Sequence, residues 1–138
     1  MTTYLDELHV GMTASTGKTI TEADILLYAA VSTDTNPAHL NAEFAAAGPF
    51  KERVAHGMLT AGLISAVLGT QLPGPGTIYL GQTLRFRAPV KIGDTVTATV
   101  EVTEIAVDKK RATLKTVCTA GGKTVIEGEA TVLVPTRG

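Results

Sequence analysis

The stretch HGMLTAGLISAVLGTQLPGPG, residues 56–76, decides the fold, because it predicts one long helix without a polar face. Every residue from Met58 to Leu68 is apolar or small, and none of them carries a charge. A helix that is apolar on every side has to be buried on every side. Gly69, Pro73 and Gly74 end the segment, since glycine and proline terminate helices. We therefore expect a central helix of about four turns that is buried all round.

After this helix, apolar residues recur at every second position, which is the period of a half-buried β-strand. The segment DTVTATVEVTEI, residues 94–105, shows this most clearly, with one face formed by Val96, Ala98, Val100 and Val102. Three more segments are predicted strands: TIYLGQTLRFRAPV (77–90), RATLKTVCTA (111–120) and KTVIEGEATVLV (123–134). Turns at Val107–Lys110 and Gly121–Gly122 are short, so the strands that they join are expected to be antiparallel.

Together these segments predict an α+β fold, in which one antiparallel sheet is wrapped around a central helix. Such a sheet has unpaired edge strands, and proteins usually cover such edges. We therefore expect two copies of the chain to pair edge to edge in a homodimer.

Two shorter helices are predicted before the central one. In TEADILLYAAVS, residues 21–32, Thr21 and Asp24 form a variant of the capping box, and the helix stops near Ser32. The Asn36–Pro37 bond that follows disfavours helical backbone. A second helix is predicted over AEFAAA, residues 42–47, with Asn41 as its N-cap and Gly48 at its end.

Composition narrows the classes of function. The chain of 138 residues is expected to form a single domain over residues 1–138, with a formal net charge of −1. No electrostatic field favours nucleic acid or an acidic membrane surface, so neither is a predicted partner. Cys118 is the only cysteine, which excludes an internal disulfide, and it is expected to be a buried, inert thiol.

The apolar stretch from Met58 to Leu68 is too short to span a bilayer, and the first residues show no secretory signal. These features predict a cytoplasmic protein.

The stretch VSTDTNPAHLN, residues 31–41, carries Asp34 and His39 five positions apart. Asp, Thr, Asn and Pro are ordinary turn residues, so the stretch can be a polar corner and nothing more. Alternatively, the loop folds so that both side chains face one point, where a carboxylate and an imidazole can exchange protons with a shared water molecule.

A second feature is the start of the central helix at His56, Gly57 and Met58. The free N–H groups of a helix's first turn stabilise negative charge, and Gly57 has no side chain to obstruct a ligand. The plainer interpretations are that His56 caps the helix or fills space and that Gly57 makes a tight turn.

One reaction uses both features. Adding water across the double bond of an α,β-unsaturated thioester needs a base for the water at C3, a proton donor for C2 and hydrogen-bond donors for the enolate oxygen. It requires no metal and no redox cofactor, and the sequence predicts neither.

Residues Tyr28 to Ala45, Y-A-A-V-S-T-D-T-N-P-A-H followed by five residues and Ala, resemble the signature of the MaoC-like, (R)-specific enoyl-CoA hydratases. The resemblance continues through AHGML (55–59) and QLPGPGTIYLGQTLRFRAPVKIGD (71–94). It is strongest to the short, single-domain hydratases that supply (R)-3-hydroxyacyl-CoA for polyhydroxyalkanoate synthesis.

This resemblance implies a hot-dog fold and a homodimer. It also implies that Asp34 and His39 are the catalytic pair, that the Gly57 amide is the oxyanion donor, and that Ser65 lies beside the pair. Thr33 stands where the family usually has Gly, and Ala38 stands where a branched aliphatic residue is frequent. If the backbone at Thr33 needs a positive φ, a β-branched residue resists it.

The sequence thus predicts a cofactor-independent hydratase that converts trans-2-enoyl-CoA to the (R)-3-hydroxyacyl product. Asp34 would take a proton from water and His39 would deliver one to C2, or the roles would be reversed. Ser65 would orient the pair or the water, and Asn36 would fix the loop. Substrate contacts are expected from Asn36, His56 and Met58.

Two other functions are compatible with the sequence: a hot-dog thioesterase, and a non-catalytic subunit that binds an acyl thioester. Carrier protein could replace coenzyme A as the acyl carrier. Five cations could bind phosphate groups of the substrate: Lys51, Arg53, Arg85, Arg87 and Lys91.

Overall fold

A computed structural model describes residues 1–137 of the chain. It contains five strands, four α-helices and one 3₁₀ turn within these residues. In chain order they are β1 Thr13–Thr19, α1 Glu22–Ser32, α2 Pro37–Leu40, α3 Ala42–Ala46, α4 Gly57–Thr70, β2 Ile78–Phe86, β3 Thr95–Ala106, the 3₁₀ turn Val107–Lys109, β4 Arg111–Ala120 and β5 Lys123–Leu133.

The five strands form one antiparallel sheet in the order β1-β3-β4-β5-β2, and α4 packs against one side of it. This confirms the predicted hot-dog architecture. The inward residues of β3 alternate as expected, because Val96, Ala98, Val100 and Val102 are all fully buried. Both predicted turns are present: Lys110 follows the 3₁₀ turn with a φ of 56°, and Gly121–Gly122 joins β4 to β5 with positive φ at both residues.

The sequence pattern did not predict β1, which has the sequence TASTGKT and pairs with β3 at the edge of the sheet. Its seven residues include three threonines, a serine and a lysine, so they show no apolar alternation. The strand forms because one edge of β3 has backbone N–H and C=O groups that would otherwise be unpaired, and β1 pairs with them.

The local capping of the short helices follows the predictions closely. Thr21 accepts a hydrogen bond from the Asp24 N–H while the Asp24 carboxylate accepts from the Thr21 N–H, which completes the predicted capping box of α1. Asn41 caps α3 by accepting from the Phe44 N–H.

The segment after Asp34 was predicted to be an extended loop, and this prediction is wrong for residues 37–40. They form the single helical turn α2, with Pro37 in the first turn and Asn36 as the N-cap. The fixed φ of proline suits the first position of a helix, so the Asn36–Pro37 bond starts a helix as well as preventing one before it.

The prediction that α4 is buried all round is also wrong for the single chain. One face is buried against the sheet, namely Thr60, Ala61, Ile64, Val67 and Leu68. The opposite side, which we call the open face, is exposed and consists of Met58, Gly62, Ser65, Ala66 and Gly69. The sheet packs against only one side of the helix, and apolar composition alone does not identify which side the chain itself covers.

Among residues 1–137, no helix is both long enough and apolar enough to cross a membrane.

Candidate active site

The turn that carries Asp34 begins with a backbone conformation that is unusual for its residue. Thr33 ends α1 with φ 66° and ψ 8°, in the left-handed region. The backbone at this position thus does have a positive φ, the case in which a β-branched residue was expected to resist the conformation. Such conformations cost on the order of 1–3 kcal/mol and persist only where neighbouring interactions hold them.

Short hydrogen bonds from side chains to backbone hold the turn. The Ser32 hydroxyl donates to the Tyr28 carbonyl at 2.7 Å and accepts from the Asp34 N–H at 3.1 Å. The Asp34 carboxylate accepts from the Asn36 N–H at 3.2 Å, and the Asn36 side chain accepts from the Ala38 N–H at 3.0 Å. Asn36 therefore fixes the loop and starts α2, and Asp34 has one carboxylate oxygen outside this bond.

His39 projects from α2 with one ring nitrogen already engaged. Its Nδ1 lies 2.7 Å from the Val54 carbonyl oxygen. A carbonyl can only accept, so Nδ1 carries the hydrogen and Nε2 is the basic nitrogen of the neutral ring. The ring is half-buried, and the Nδ1 bond fixes its orientation.

Arg53 holds the other side of α2. Its Nε donates to the His39 carbonyl at 2.7 Å, and its guanidinium forms an ion pair with Glu22 at 2.8 Å. Arg53 therefore anchors α2 to the start of α1, and its guanidinium is committed to these partners.

Two other predicted phosphate ligands also have acidic partners. Arg87 pairs with Glu127 at 2.5 Å, and Lys91 pairs with Glu52 at 3.4 Å. Lys51 and Arg85 have no carboxylate within 4.0 Å in the part of the chain that the structure describes.

His56 completes the group around Asp34. Its Nε2 lies 2.9 Å from the Asp34 carbonyl oxygen, and its ring centroid is 3.9 Å from that of His39. On its other side the Tyr28 ring lies 4.7 Å away, between centroids. The His56 side chain is only 2% exposed.

Asp34 and His39 therefore converge, as the sequence motif predicted. One side-chain oxygen or nitrogen atom each from Asp34, His39 and His56 lies within 4.8 Å of the others. A separation of this order lets a carboxylate and an imidazole share one water molecule. The same three side chains are types that bind metal ions, but backbone carbonyls already engage one nitrogen of each histidine. That the reaction uses no metal and no cofactor stays a prediction.

These side chains face a cavity of about 480 Å³ at the start of α4. Besides Asp34, His39 and His56 it is lined by Gly57, Met58 and Thr60, and by apolar residues that include Phe50, Val54, Phe86, Val90 and Ile126. The cavity is thus mostly apolar, with the side chains of Asp34, His39 and His56 close together in its wall.

Gly57 is the first residue of α4 and sits at the cavity wall. Its N–H has no hydrogen-bond acceptor within residues 1–137, so it remains available to a ligand. A Cβ atom at this position would lie 2.5 Å from the Phe86 ring, so glycine is needed for the ring to pack here. The predicted oxyanion donor therefore lies at the cavity that holds the acid–base pair.

Of the predicted site residues, Asn36 and Ser65 are not among those that line this cavity. The Asn36 side chain is engaged by the Ala38 N–H instead, whereas Ser65 belongs to another part of α4. It lies eight residues along α4 from Gly57, about 12 Å at the usual helical rise, and it lines a second hollow of about 390 Å³. Met58 lines both hollows, and the second is otherwise formed by the open face and by β2 residues such as Tyr79 and Gln82.

Sequence reasoning missed Phe86 and Thr60 as cavity residues. Phe86 is the last residue of β2, and no periodic signal marks the end of a strand as a cavity wall. The sequence places Thr60 in an apolar helix, and its hydroxyl is buried without a partner among residues 1–137. Only the packed structure shows that both side chains meet at the start of α4.

Comparisons with known proteins show the family to which the chain belongs. The family model described as MaoC like domain matches residues 8–128. An (R)-specific enoyl-CoA hydratase of Rhodospirillum rubrum is 61% identical over 98% of this chain and 94% of the relative. An (R)-specific enoyl-CoA hydratase of Aeromonas caviae is 50% identical over 93% of this chain and 96% of the relative.

Solved structures give the same result. The unliganded R-hydratase PhaJ1 of Pseudomonas aeruginosa superimposes with a TM-score of 0.93 at 50% identity, covering 99% of this chain and 88% of that one. The (R)-hydratase of A. caviae, described as involved in PHA biosynthesis, gives 0.90 at 49% identity, covering 93% and 98%. The chain belongs to the MaoC-like domain family.

Proposed function

We propose that this protein adds water to trans-2-enoyl-CoA to form (R)-3-hydroxyacyl-CoA, and catalyses the reverse dehydration. The observation that carries the proposal is the meeting of Asp34 and His39 with the free Gly57 N–H at one mostly apolar cavity. Relatives that cover nearly the whole chain are named (R)-specific enoyl-CoA hydratases, which supports the same reaction.

In the proposed mechanism, the Asp34 carboxylate takes one proton from water while the water oxygen forms a bond to C3. The electrons of the C2–C3 double bond move onto the thioester to give an enolate, and the imidazolium form of His39 delivers its Nε2 proton to C2, because Nδ1 is held by Val54. The step leaves Asp34 protonated and His39 neutral, and transfer of that proton from Asp34 to His39 Nε2 resets the pair. The reverse reaction runs through the same groups with their roles exchanged.

The Gly57 N–H would donate to the thioester oxygen as negative charge develops on it. An N–H fixed at a helix start stabilises such charge without having to reorganise, and the effect is greatest where water is excluded. The apolar lining of the cavity lowers the polarity around that charge, and a bound acyl chain would exclude more of the water.

The test is turnover of crotonyl-CoA, followed as loss of absorbance of the enoyl thioester. Asp34→Asn and His39→Ala should each lower kcat by about 10²–10⁴-fold, the usual contribution of a general acid or base. Asp108→Asn and His9→Ala change the same residue types at exposed positions and should leave turnover unchanged.

Two results would reject the proposal. Release of free coenzyme A thiol without hydration would identify a thioesterase. Absence of hydration by the purified wild-type chain would favour a non-catalytic binding subunit. Comparing crotonyl-CoA with the same acyl group on a carrier protein establishes which thioester is used.

We also propose a homodimer that covers the open face of α4 and the edge strand β2. Both are exposed in the single chain, and several large apolar side chains project there: Met58, Ile78, Tyr79, Leu80 and Phe86. Contiguous exposed apolar surface of this kind marks an interaction site. The second hollow, which holds Ser65, would then be enclosed between the two copies.

Light scattering after size exclusion tests the dimer. Ala66→Arg places a charge on the open face and should yield monomers, because an unpaired charge buried in an interface is strongly unfavourable. Val107→Arg is the matched control, since Val107 is an exposed apolar residue at the β3–β4 turn. A monomeric wild type, or dimers that tolerate Ala66→Arg, would contradict the proposal.

That the protein works in the cytoplasm also stays a prediction.

A further inference from the structure

His56 is the group in the site to which the proposed mechanism assigns no step. It is almost fully buried, and it contacts both members of the acid–base pair. Its role can be deduced from the hydrogen on its ring.

The Nε2 atom of His56 faces the carbonyl oxygen of Asp34 at 2.9 Å. Since the carbonyl can only accept, Nε2 carries the hydrogen, and Nδ1 of the neutral ring has none. Nδ1 is buried and has no hydrogen-bond partner among residues 1–137. Neither ring nitrogen is therefore placed to exchange a proton with the substrate.

The same ring contacts His39 across its face. The two imidazole centroids are 3.9 Å apart and the ring planes differ by 31°, with Tyr28 closing the other side of His56 at 4.7 Å. One buried ring thus fixes the backbone of Asp34 and limits the tilt of His39. Other hydrogen bonds hold Asp34 and His39 one at a time. The His56 side chain contacts both of them, on a partly exposed segment that begins with the strained Thr33.

The position of His56 in the chain adds a third observation. It is the N-cap of α4, and its side chain makes no capping bond. Ser, Thr, Asp and Asn are preferred at N-caps because their side chains accept from the first helical N–H groups. Histidine turns its side chain toward Asp34 instead, so no capping group competes with a ligand for the N–H groups at the start of α4.

We propose, on the basis of the hydratase function above, that His56 is a positioning residue. It holds Asp34 and His39 in their reacting geometry through the Nε2–H bond and the ring contact, and it leaves the adjacent helix amides open to the thioester oxygen. No proton of the reaction passes through it.

Two variants separate the effect of the His56 Nε2–H hydrogen bond from the effect of the ring contact with His39. His56→Phe keeps an aromatic ring against His39 but removes the donor, and His56→Gln keeps an N–H donor near the place of Nε2 but removes the ring. Misplacing reacting groups by about 1 Å can cost about 10²-fold. We expect His56→Phe to lower kcat on crotonyl-CoA by about 10–100-fold while KM stays within about threefold, the pattern of a lost transition-state contribution.

His56→Gln should recover part of the kcat that His56→Phe loses, since it restores the donor to the Asp34 carbonyl. Both variants should keep every limb of the wild-type pH–rate profile, whereas removal of an acid or a base deletes a limb. His9→Phe, at an exposed position, is the control and should behave as wild type.

A limb missing from the His56→Phe profile would overturn the inference by making His56 an acid or a base. Wild-type kcat in His56→Phe, or a loss explained wholly by a smaller folded fraction in circular dichroism, would overturn it as well.

A spectroscopic readout separates this inference from the proposed function. In ¹⁵N-labelled wild-type protein, the His56 hydrogen should be assigned to Nε2 whether or not the protein hydrates crotonyl-CoA. A hydrogen on Nδ1 contradicts the positioning role even in an active hydratase. The Nε2 tautomer in an inactive protein would mean that the hydratase proposal alone had failed.

Discussion

Neither face of α4 carries a charge, yet the chain covers only one of them. The face toward the sheet carries Ile64, Val67 and Leu68, which are buried, while the open face carries Gly62, Ser65 and Ala66, which are exposed. The first set is large and branched, and the second is small. Side-chain size, more than hydropathy, distinguishes the face that fills a core from the face that another surface can approach closely.

This difference teaches how to interpret an entirely apolar helix. Apolar composition predicts burial in the final assembly, but it does not say which chain provides the cover. The candidate active cavity lies at the start of α4. Substitutions on the sheet face, on the open face and at the start of the helix should therefore affect mainly stability, assembly and activity, respectively.

The largest effect is expected from shortening a side chain on the sheet face. Ile64 is fully buried, and Ile64→Ala should lower the free energy of unfolding by about 2–5 kcal/mol, the usual range for such a truncation in a core. Urea unfolding at a fixed protein concentration measures this. Val107→Ala at the exposed turn should change it by less than about 0.5 kcal/mol, and equal effects would mean that the two positions are equally buried.

The next largest effect is expected on activity, from a change at Gly57, where α4 begins. Gly57→Ala places a methyl group where the Phe86 ring packs, and this half-exposed ring can move aside, so the fold should survive. The methyl group should crowd the approach to the N–H and lower kcat/KM for crotonyl-CoA by about 10²-fold, comparable to losing an oxyanion donor.

Gly17→Ala is the matched control, on β1 and outside the open face. A Cβ atom there meets its nearest neighbours at 3.7 Å, an ordinary contact, so activity should be unchanged. If Gly57→Ala kept wild-type activity, the start of α4 would not be where the thioester oxygen binds.

A smaller effect, on the free energy of unfolding, should come from the turn at Thr33, which is not part of α4. Thr33→Gly relieves the left-handed strain and should raise the free energy of unfolding by about 1 kcal/mol. Lys110→Gly relieves a similar φ at a residue without β-branching, so it should gain less. Denaturant midpoints compare the two variants, and a destabilised Thr33→Gly would show that the threonine side chain makes a contribution larger than the strain.

The smallest effect is expected at Cys118, whose thiol should not react with a labelling reagent in the native protein. Cys118 lies on β4 facing α4, with its Sγ 4.0 Å from the Thr60 carbonyl, and burial raises the pKa of its thiol to about 11. Since the thiolate is the reactive form, a disulfide reagent at pH 8 should label the native protein only as it unfolds. Val107→Cys should introduce a thiol that labels at once.

The same raised pKa has a consequence for stability. The thiol has a pKa near 9 in the unfolded chain and about 11 in the folded one. The contribution of the neutral thiol to the free energy of unfolding is therefore complete below pH 9, and it is lost as the pH rises toward 11. Cys118→Ser should remove that part of the alkaline dependence, and an unchanged profile would mean that the thiol is solvated.

Much of the fold was predictable because local and periodic signals agreed. The capping box at Thr21, the alternation in β3 and the Gly121–Gly122 turn each specify a structure through short-range chemistry. The strand β1 was not predictable, since its polar sequence takes its structure from its neighbour. The covered side of α4 was not predictable either, because it depends on how the sheet packs against the helix.

The candidate site divides in the same way. Asp34 and His39 lie five residues apart in one turn, so a motif could bring them together. Ser65 and Phe86 come from separate elements, and their distances from the pair depend on packing across the chain. His56 was identifiable as a site residue, but the direction of its ring was not, because a sequence does not show which carbonyl a nitrogen will face.

The two margins of the sheet differ in chemistry. The outer strand β1 presents mainly threonine, serine and lysine, whereas β2 presents isoleucine, tyrosine, leucine and phenylalanine. If two chains join through β2, each end of the combined sheet is a polar β1. Hydrophilic ends discourage further strands from adding. The sheet would thus have one edge strand that pairs with a second copy and one that does not. This arrangement would limit assembly to two copies and disfavour fibrils.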